Sequence, residues 1–106
     1  MASAAELFER MPEVFDVQKA GDLNATVLFD LSGEGGGKWH VNVADGVCTT
    51  GEGAVEEPTA TIRMDAADYV DMVAGRLNAM EAFMQQKIRV EGDLGTVMKF
   101  QTLFDQ

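Results

Sequence analysis

At 106 residues, 46% of them hydrophobic and 25% charged, the chain has the make-up of one folded globular domain, far from compositions that stay disordered. Eight basic against eighteen acidic side chains leave a net charge of -10, which repels phosphate backbones and anionic headgroups and excludes nucleic acid as a partner. Apolar runs are only a few residues long, against the roughly 20 that span a bilayer, so no stable membrane insertion is expected.

Taken in chain order, Ser3-Ala4-Ala5-Glu6 reads as a capping box opening a helix whose Leu7, Phe8 and Met11 share one face. Pro12 lacks the N–H that would continue it, and Glu13 to Lys19 has room for one more short turn before Ala20-Gly21-Asp22 breaks the pattern. From Ala25 the period becomes two: Ala25, Val27, Phe29 and Leu31 point one way, with Leu28 as the exception, and a strand is predicted. After the Gly-rich Ser32 to Gly37 connection, Trp39, Val41 and Val43 alternate with Lys38, His40 and Asn42 in a second, antiparallel strand.

Asp45-Gly46 marks a tight turn into a third strand from Val47 to Thr50, followed by an acidic loop over Gly51 to Pro58. Ala60, Ile62 and Met64 alternate in a fourth strand, which Pro58 just before it makes compatible with a sheet edge. Its string Ala60 to Asp65 looks like Ala25 to Asp30, a coincidence expected of short strands. Asp65 and Asp68 then resemble a capping box, Met64 and Tyr69 fall at the two positions of a hydrophobic staple, and Gly75 closes a helix over about 66–74. Asn78 opens a short one-sided helix with Met80, Phe83 and Met84 at i, i+3, i+4. Ile88 and Val90 alternate in a last strand, and Asp93 caps a helix from Leu94 to Phe104. Strands in a run without regular β-α-β alternation predict an α+β fold with a mostly antiparallel sheet and helices on one face.

Candidate chemistry is sparse. Cys48 stands alone, so neither an intrachain disulfide nor a Cys cluster for metal can form, and a reduced thiol together with the lack of a secretory, peroxisomal or ER address predicts the cytoplasm. His40, the one imidazole, falls on the polar side of its strand and reads as a solvated histidine. The stripe Asp65, Asp68, Asp71 lacks the loop and closing Glu of a calcium site and reads as a solvated helix face; Ser32 to Gly37 lacks the Lys-Ser/Thr of a phosphate cradle. With no paired acid and base and no nucleophile constellation, neither an enzyme nor any metal or cofactor is expected.

The apolar residues of the C-terminal half say more. On a helical wheel Leu94, Val97, Met98, Phe100, Leu103 and Phe104 cover an arc of roughly 220°, more than one sheet face buries, so ordinary core, a second copy of the chain or an apolar ligand has to cover the remainder. Five of the seven methionines (Met64, Met72, Met80, Met84, Met98) fall in the same half, and thioethers adapt to ligands of varied shape.

The run from Gly75 to Leu94, Gly-Arg-Leu-Asn-Ala-Met-Glu-Ala-Phe-Met-Gln-Gln-Lys-Ile-Arg-Val-Glu-Gly-Asp-Leu, followed by Met98 and Leu103-Phe104, resembles the sterol carrier protein 2 (SCP2) family, and the likeness extends upstream through Ala60 to Met64. The resemblance implies a five-stranded mixed sheet with helices packed on one side of it. Between them it implies an apolar tunnel that binds fatty acids, fatty acyl-CoA or sterol-like lipids without catalysis. It places Met80, Phe83, Met84, Met98, Leu103 and Phe104 in the tunnel wall; strand alternation adds Phe29, Trp39, Ile62 and Ile88 on the sheet side, and the broad arc adds Phe100. Ala79 stands where the family commonly has Pro, Gln86 where it commonly has Gly, and the end two residues after Phe104 leaves tunnel closure to ligand or to a second subunit. A single lipid-binding domain over residues 1–106 is the leading expectation, and a homodimerisation or protein-interaction module using the last helix is the rival.

Overall fold

The computed structural model describes residues 4–103, without the side chains at 4, 5, 11, 12, 14, 79 and 101–103. The Ser3 cap and Phe104 therefore lie outside the described residues. Helix α1 spans Ala4–Val14 and α2 Val17–Ala20; strands β1 Ala25–Ser32, β2 Gly37–Ala44, β3 Val47–Glu52 and β4 Ala60–Asp65 follow, then α3 Ala66–Val73, α4 Ala79–Met84, β5 Ile88–Gly92 and α5 Leu94–Leu103.

The strands form one sheet in the order β3-β2-β1-β4-β5, with β1 and β4 parallel and the other neighbours antiparallel. This is the expected α+β architecture with a mixed five-stranded sheet. Strand β4 is not an edge. It runs between β1 and β5, because Pro58 falls outside the ladder and the chain is pinned beside β1 before the strand begins: Thr59 N donates to Thr26 O at 2.8 Å, and Thr26 N donates to Thr59 Oγ1 at 3.2 Å. The parallel pairing sets Phe29 beside Ile62 and Leu31 beside Met64, so the two similar strings are neighbours offset by two residues rather than a repeat.

Helices cover one face. Val27, Phe29, Leu31, Trp39, Val41, Val43, Cys48, Ile62 and Met64 bury on it together with Phe8 of α1, Tyr69 of α3 and Phe100 of α5. The opposite face carries Thr26, Asp30, Lys38, His40, Asn42 and Arg63, with Arg63 bridging Asp30 at 2.8 Å and Glu91 at 3.1 Å. Leu28, the exception to the alternation, lies on that polar face yet is only 9% exposed, because it is mid-sheet with His40 and Thr61 flanking it in register.

Local signals place the helices. Asp65 Oδ1 accepts from Ala67 N at 2.8 Å to cap α3, and the staple residues Met64 and Tyr69 are both buried. Gly75, at φ +83°, supplies the left-handed turn that ends α3, while Arg76 N and Leu77 N both donate to Asp71 O. Asn78 Oδ1 accepts from Met80 N and Glu81 N, and Asp93 accepts from Thr96 N and Thr96 Oγ1. One boundary differs from expectation. α1 continues through Pro12 to Val14, since a proline in the last turn removes a single N–H···O bond while Phe8, fully buried one turn earlier, holds the helix on the sheet.

Candidate functional site

Cross-strand register builds a row perpendicular to the strands on the covered face: Trp39 pairs with Phe29, Phe29 with Ile62, and Ile62 with Val90. Four strands at about 4.8 Å spacing make this row roughly 14 Å long. A second row joins Leu31, Met64 and Ile88. Three of the residues expected on the sheet side thus share one line, and Ile88 stands in the next. Val90, which the candidate set lacked, closes the first row; its alternation with Ile88 was the available signal.

Aromatic rings fill the space above the row. Phe8 lies between Trp39 and Tyr69, stacked on both with centroids 5.2 and 5.1 Å away, and meets Phe29 edge-on at 5.0 Å. Phe29 also meets Tyr69 at 5.7 Å and Phe100 at 6.5 Å. Neither Phe8 nor Tyr69 was among the expected site residues, because only the long-range packing of α1 and α3 over the sheet brings them to Phe29.

The two ends of the row differ. At the β2 end Trp39 is buried beneath Phe8, next to a notch of about 140 Å³ bounded by Glu9, Thr50, Gly51 and Glu52. At the β5 end Ile88 and Val90 are only half-buried, and α4 and α5, which pack on β5, expose apolar side chains instead of burying them. Met80 is 62% exposed, Phe83 40%, Met84 77% and Met98 55%, with Leu94 exposed as well. The i, i+3, i+4 stripe of α4 faces solvent, and the residue α4 buries is Ala82, whose small side chain lets a short helix sit close to the strand. Of the other expected wall residues Phe100 is core and Leu103 and Phe104 are not described at side-chain level.

Cys48, His40 and the acidic stripe stand away from the row. Burial pushes the Cys48 thiol up to about 11, leaving it neutral and unreactive at physiological pH. His40 lies on the polar face, half-buried rather than solvated, with Nδ1 3.0 Å from Gly53 O and its ring against Gly51, where an added Cβ would come within 2.6 Å of Nε2. Of the acidic stripe, Asp65 caps a helix and Asp71 bonds Arg76 at 3.0 Å, so both are structural. A surface pocket of about 240 Å³ lies between Ser32, Arg63, Met64, Gln86, Lys87 and Arg89, beside Met64 of the second row. Among the described residues no helix is long and apolar enough to cross a membrane.

Comparison with known proteins turns this geometry into a family assignment. The SCP-2 sterol transfer family profile matches residues 6–105. The chain belongs to the SCP-2 sterol transfer family. Among its SCP2 relatives, human hydroxysteroid dehydrogenase-like protein 2 is 33% identical over 92 residues, covering 86% of this chain and 22% of that protein. The SCP2 domain therefore spans about a quarter or less of the length of these curated relatives. Among solved structures, the sterol carrier protein domain 2 of Helicoverpa armigera is 28% identical with a TM-score of 0.72, covering 92% of this chain and 80% of that one. The palmitated SCP2L2 of Aedes aegypti shares the fold at 18% identity with a TM-score of 0.78, over 99% and 96% of the two chains. Membership implies a lipid-binding or lipid-transfer domain.

Proposed function

We propose that this SCP2 domain binds one apolar lipid, a fatty acyl or sterol-like molecule, along the Ile62–Val90 end of the row and beneath α4 and α5, entering at the β5 end. The observation that carries this reading is the pairing of half-buried Ile88 and Val90 with exposed Met80, Phe83, Met84, Leu94 and Met98 on the two helices above them. An alkyl chain that covers this surface gains about 0.8 kcal/mol per buried methylene, and it needs no headgroup contact for affinity. The two surface cavities described above, about 240 and about 140 Å³, fall short of the roughly 300 Å³ at which ligand pockets begin, so on this reading the exposed helix side chains fold over the lipid as it enters. Methionine suits that rearrangement, being unbranched and adaptable.

The domain on this reading holds its ligand without reacting with it. His40 is on the far face of the sheet and Cys48 is held neutral, which supports a binding role, and the lone reduced thiol suits the cytoplasm. The palmitated relative supports an acyl-type ligand, and the name of the longer relative, hydroxysteroid dehydrogenase-like protein 2, supports a role in holding an apolar substrate. Native mass spectrometry of protein purified without added lipid tests the reading: the intact mass carries a lipid-sized increment that is lost on organic extraction. Met84→Asp keeps the fold, since the residue is at the surface, but binds lipid at least tenfold more weakly because a desolvated carboxylate costs several kcal/mol. A bare mass that added lipid does not shift, or a Met84→Asp variant that retains full affinity, contradicts the proposal.

A further inference from the structure

Tyr69 is 1% exposed, and its hydroxyl finds no hydrogen-bond partner among the described residues. A buried donor left unpaired costs free energy that Phe at the same place would not incur, so such a group calls for a partner that comes and goes. Its surroundings are apolar: the ring stacks on Phe8 at 5.1 Å and meets Phe29 at 5.7 Å, and Phe29 in turn meets Phe100 at 6.5 Å. Phe29, Phe100, Ile62 and partly buried Ile88 form one continuous apolar cluster with Tyr69, leading toward the β5 end. Burial holds the phenol protonated, with its pKa pushed well above the usual tyrosine value, so it donates at any physiological pH.

We propose that the Tyr69 hydroxyl is the polar anchor of the lipid site and donates a hydrogen bond to an uncharged oxygen, a hydroxyl or carbonyl, at the leading end of the bound lipid. This rests on the lipid-binding reading above and adds to it the class of polar group that is recognised. The oxygen is uncharged because the rings that pack on Tyr69, Phe8 and Phe29, are apolar, so a carboxylate carried there meets one neutral donor and loses its hydration. A charged headgroup is therefore left at the solvent-facing end, and the lipid that gains most is one whose buried end carries a neutral oxygen.

The test compares wild type with Tyr69→Phe by displacement of a pyrene-labelled alkyl probe, using 1-dodecanol and dodecane as competitors of equal chain length. In the wild type the alcohol competes better than the alkane. In Tyr69→Phe the alcohol weakens about fivefold to tenfold, the span of one hydrogen bond, while the alkane stays within twofold. The unliganded variant melts no lower than wild type, as expected when a buried unpaired hydroxyl is removed. The proposal is overturned if the alcohol keeps its affinity in Tyr69→Phe, as it would if only a buried water used the hydroxyl, or if alcohol and alkane weaken equally. A wild type that binds the probe and both competitors without distinguishing them sinks the anchor alone. A wild type that binds no alkyl probe sinks the lipid-binding reading, and the anchor falls with it.

Discussion

Asp93 shows how one side chain ties the sheet to the last helix. Its carboxylate accepts from Thr96 Oγ1 at 2.9 Å and Thr96 N at 3.4 Å, and these hydrogen bonds hold its pKa below the usual carboxylate range. A depressed folded-state pKa contributes stability that is present above the unfolded-state value and lost as pH falls through the folded-state value. Asp93→Ala therefore lowers the melting temperature at neutral pH. The gap to wild type narrows below the ordinary carboxylate pKa of about 4, and thermal scans between neutral and acid pH read it directly. A gap of the same size at both ends of the range would mean that the carboxylate's charge contributes nothing at α5. At this scale the sequence was readily legible: the caps at Asp65, Asn78 and Asp93 are local, each set by a side chain and an N–H two or three residues on. Tyr69 was legible as a staple and illegible as an orphan donor, because the rings that bury it come from α1 and β1, far away in the chain.

Among the elements, α4 and the turn after it depart most from simple expectation. The spacing of Met80, Phe83 and Met84 declares an apolar face, but spacing cannot say whether protein or ligand covers it, and in the structure α4 turns Ala82 to the sheet. The chain then leaves α4 through Gln86 at φ +64°, a left-handed conformation that a side chain opposes and glycine accepts. This is the position where the family resemblance notes a common Gly. Gln86→Gly relieves that strain and is expected to stabilise the fold by up to about 1 kcal/mol, measured as a higher urea midpoint at unchanged slope. A lower midpoint would show that the Gln86 side chain makes contacts worth more than its backbone costs. Strands were read well from their period of two, with β3 running on through Glu52; the partner of β4 was not, because parallel pairing with β1 joins segments 33 residues apart and leaves no local trace.

For the whole molecule, the fold divides labour between the two faces of its sheet. One face is polar and tied by the Asp30–Arg63–Glu91 bridge; the other carries the apolar rows, sealed at the β2 end by Phe8 and Trp39 and thinly covered at the β5 end. With a net charge of -10 the molecule is repelled by anionic membrane surfaces, which favours a domain that receives single lipid molecules over one that docks on such a bilayer. The architecture followed from strand and helix order, while the contents of the apolar site depended on tertiary packing: of the expected wall residues, Phe29, Trp39, Ile62 and Phe100 became core, and Met80, Phe83, Met84 and Met98 became surface. On the proposed reading these two groups meet the lipid from the sheet side and the helix side, and isotope-filtered NOE spectroscopy tests this most directly. With the Ile δ1 and Met ε methyls labelled and unlabelled 1-dodecanol added, ligand methylenes are predicted to contact Ile88, Ile62, Met84 and Met98. An absence of contacts to all four, with the lipid bound, would contradict a site between the β5 end of the sheet and helices α4 and α5.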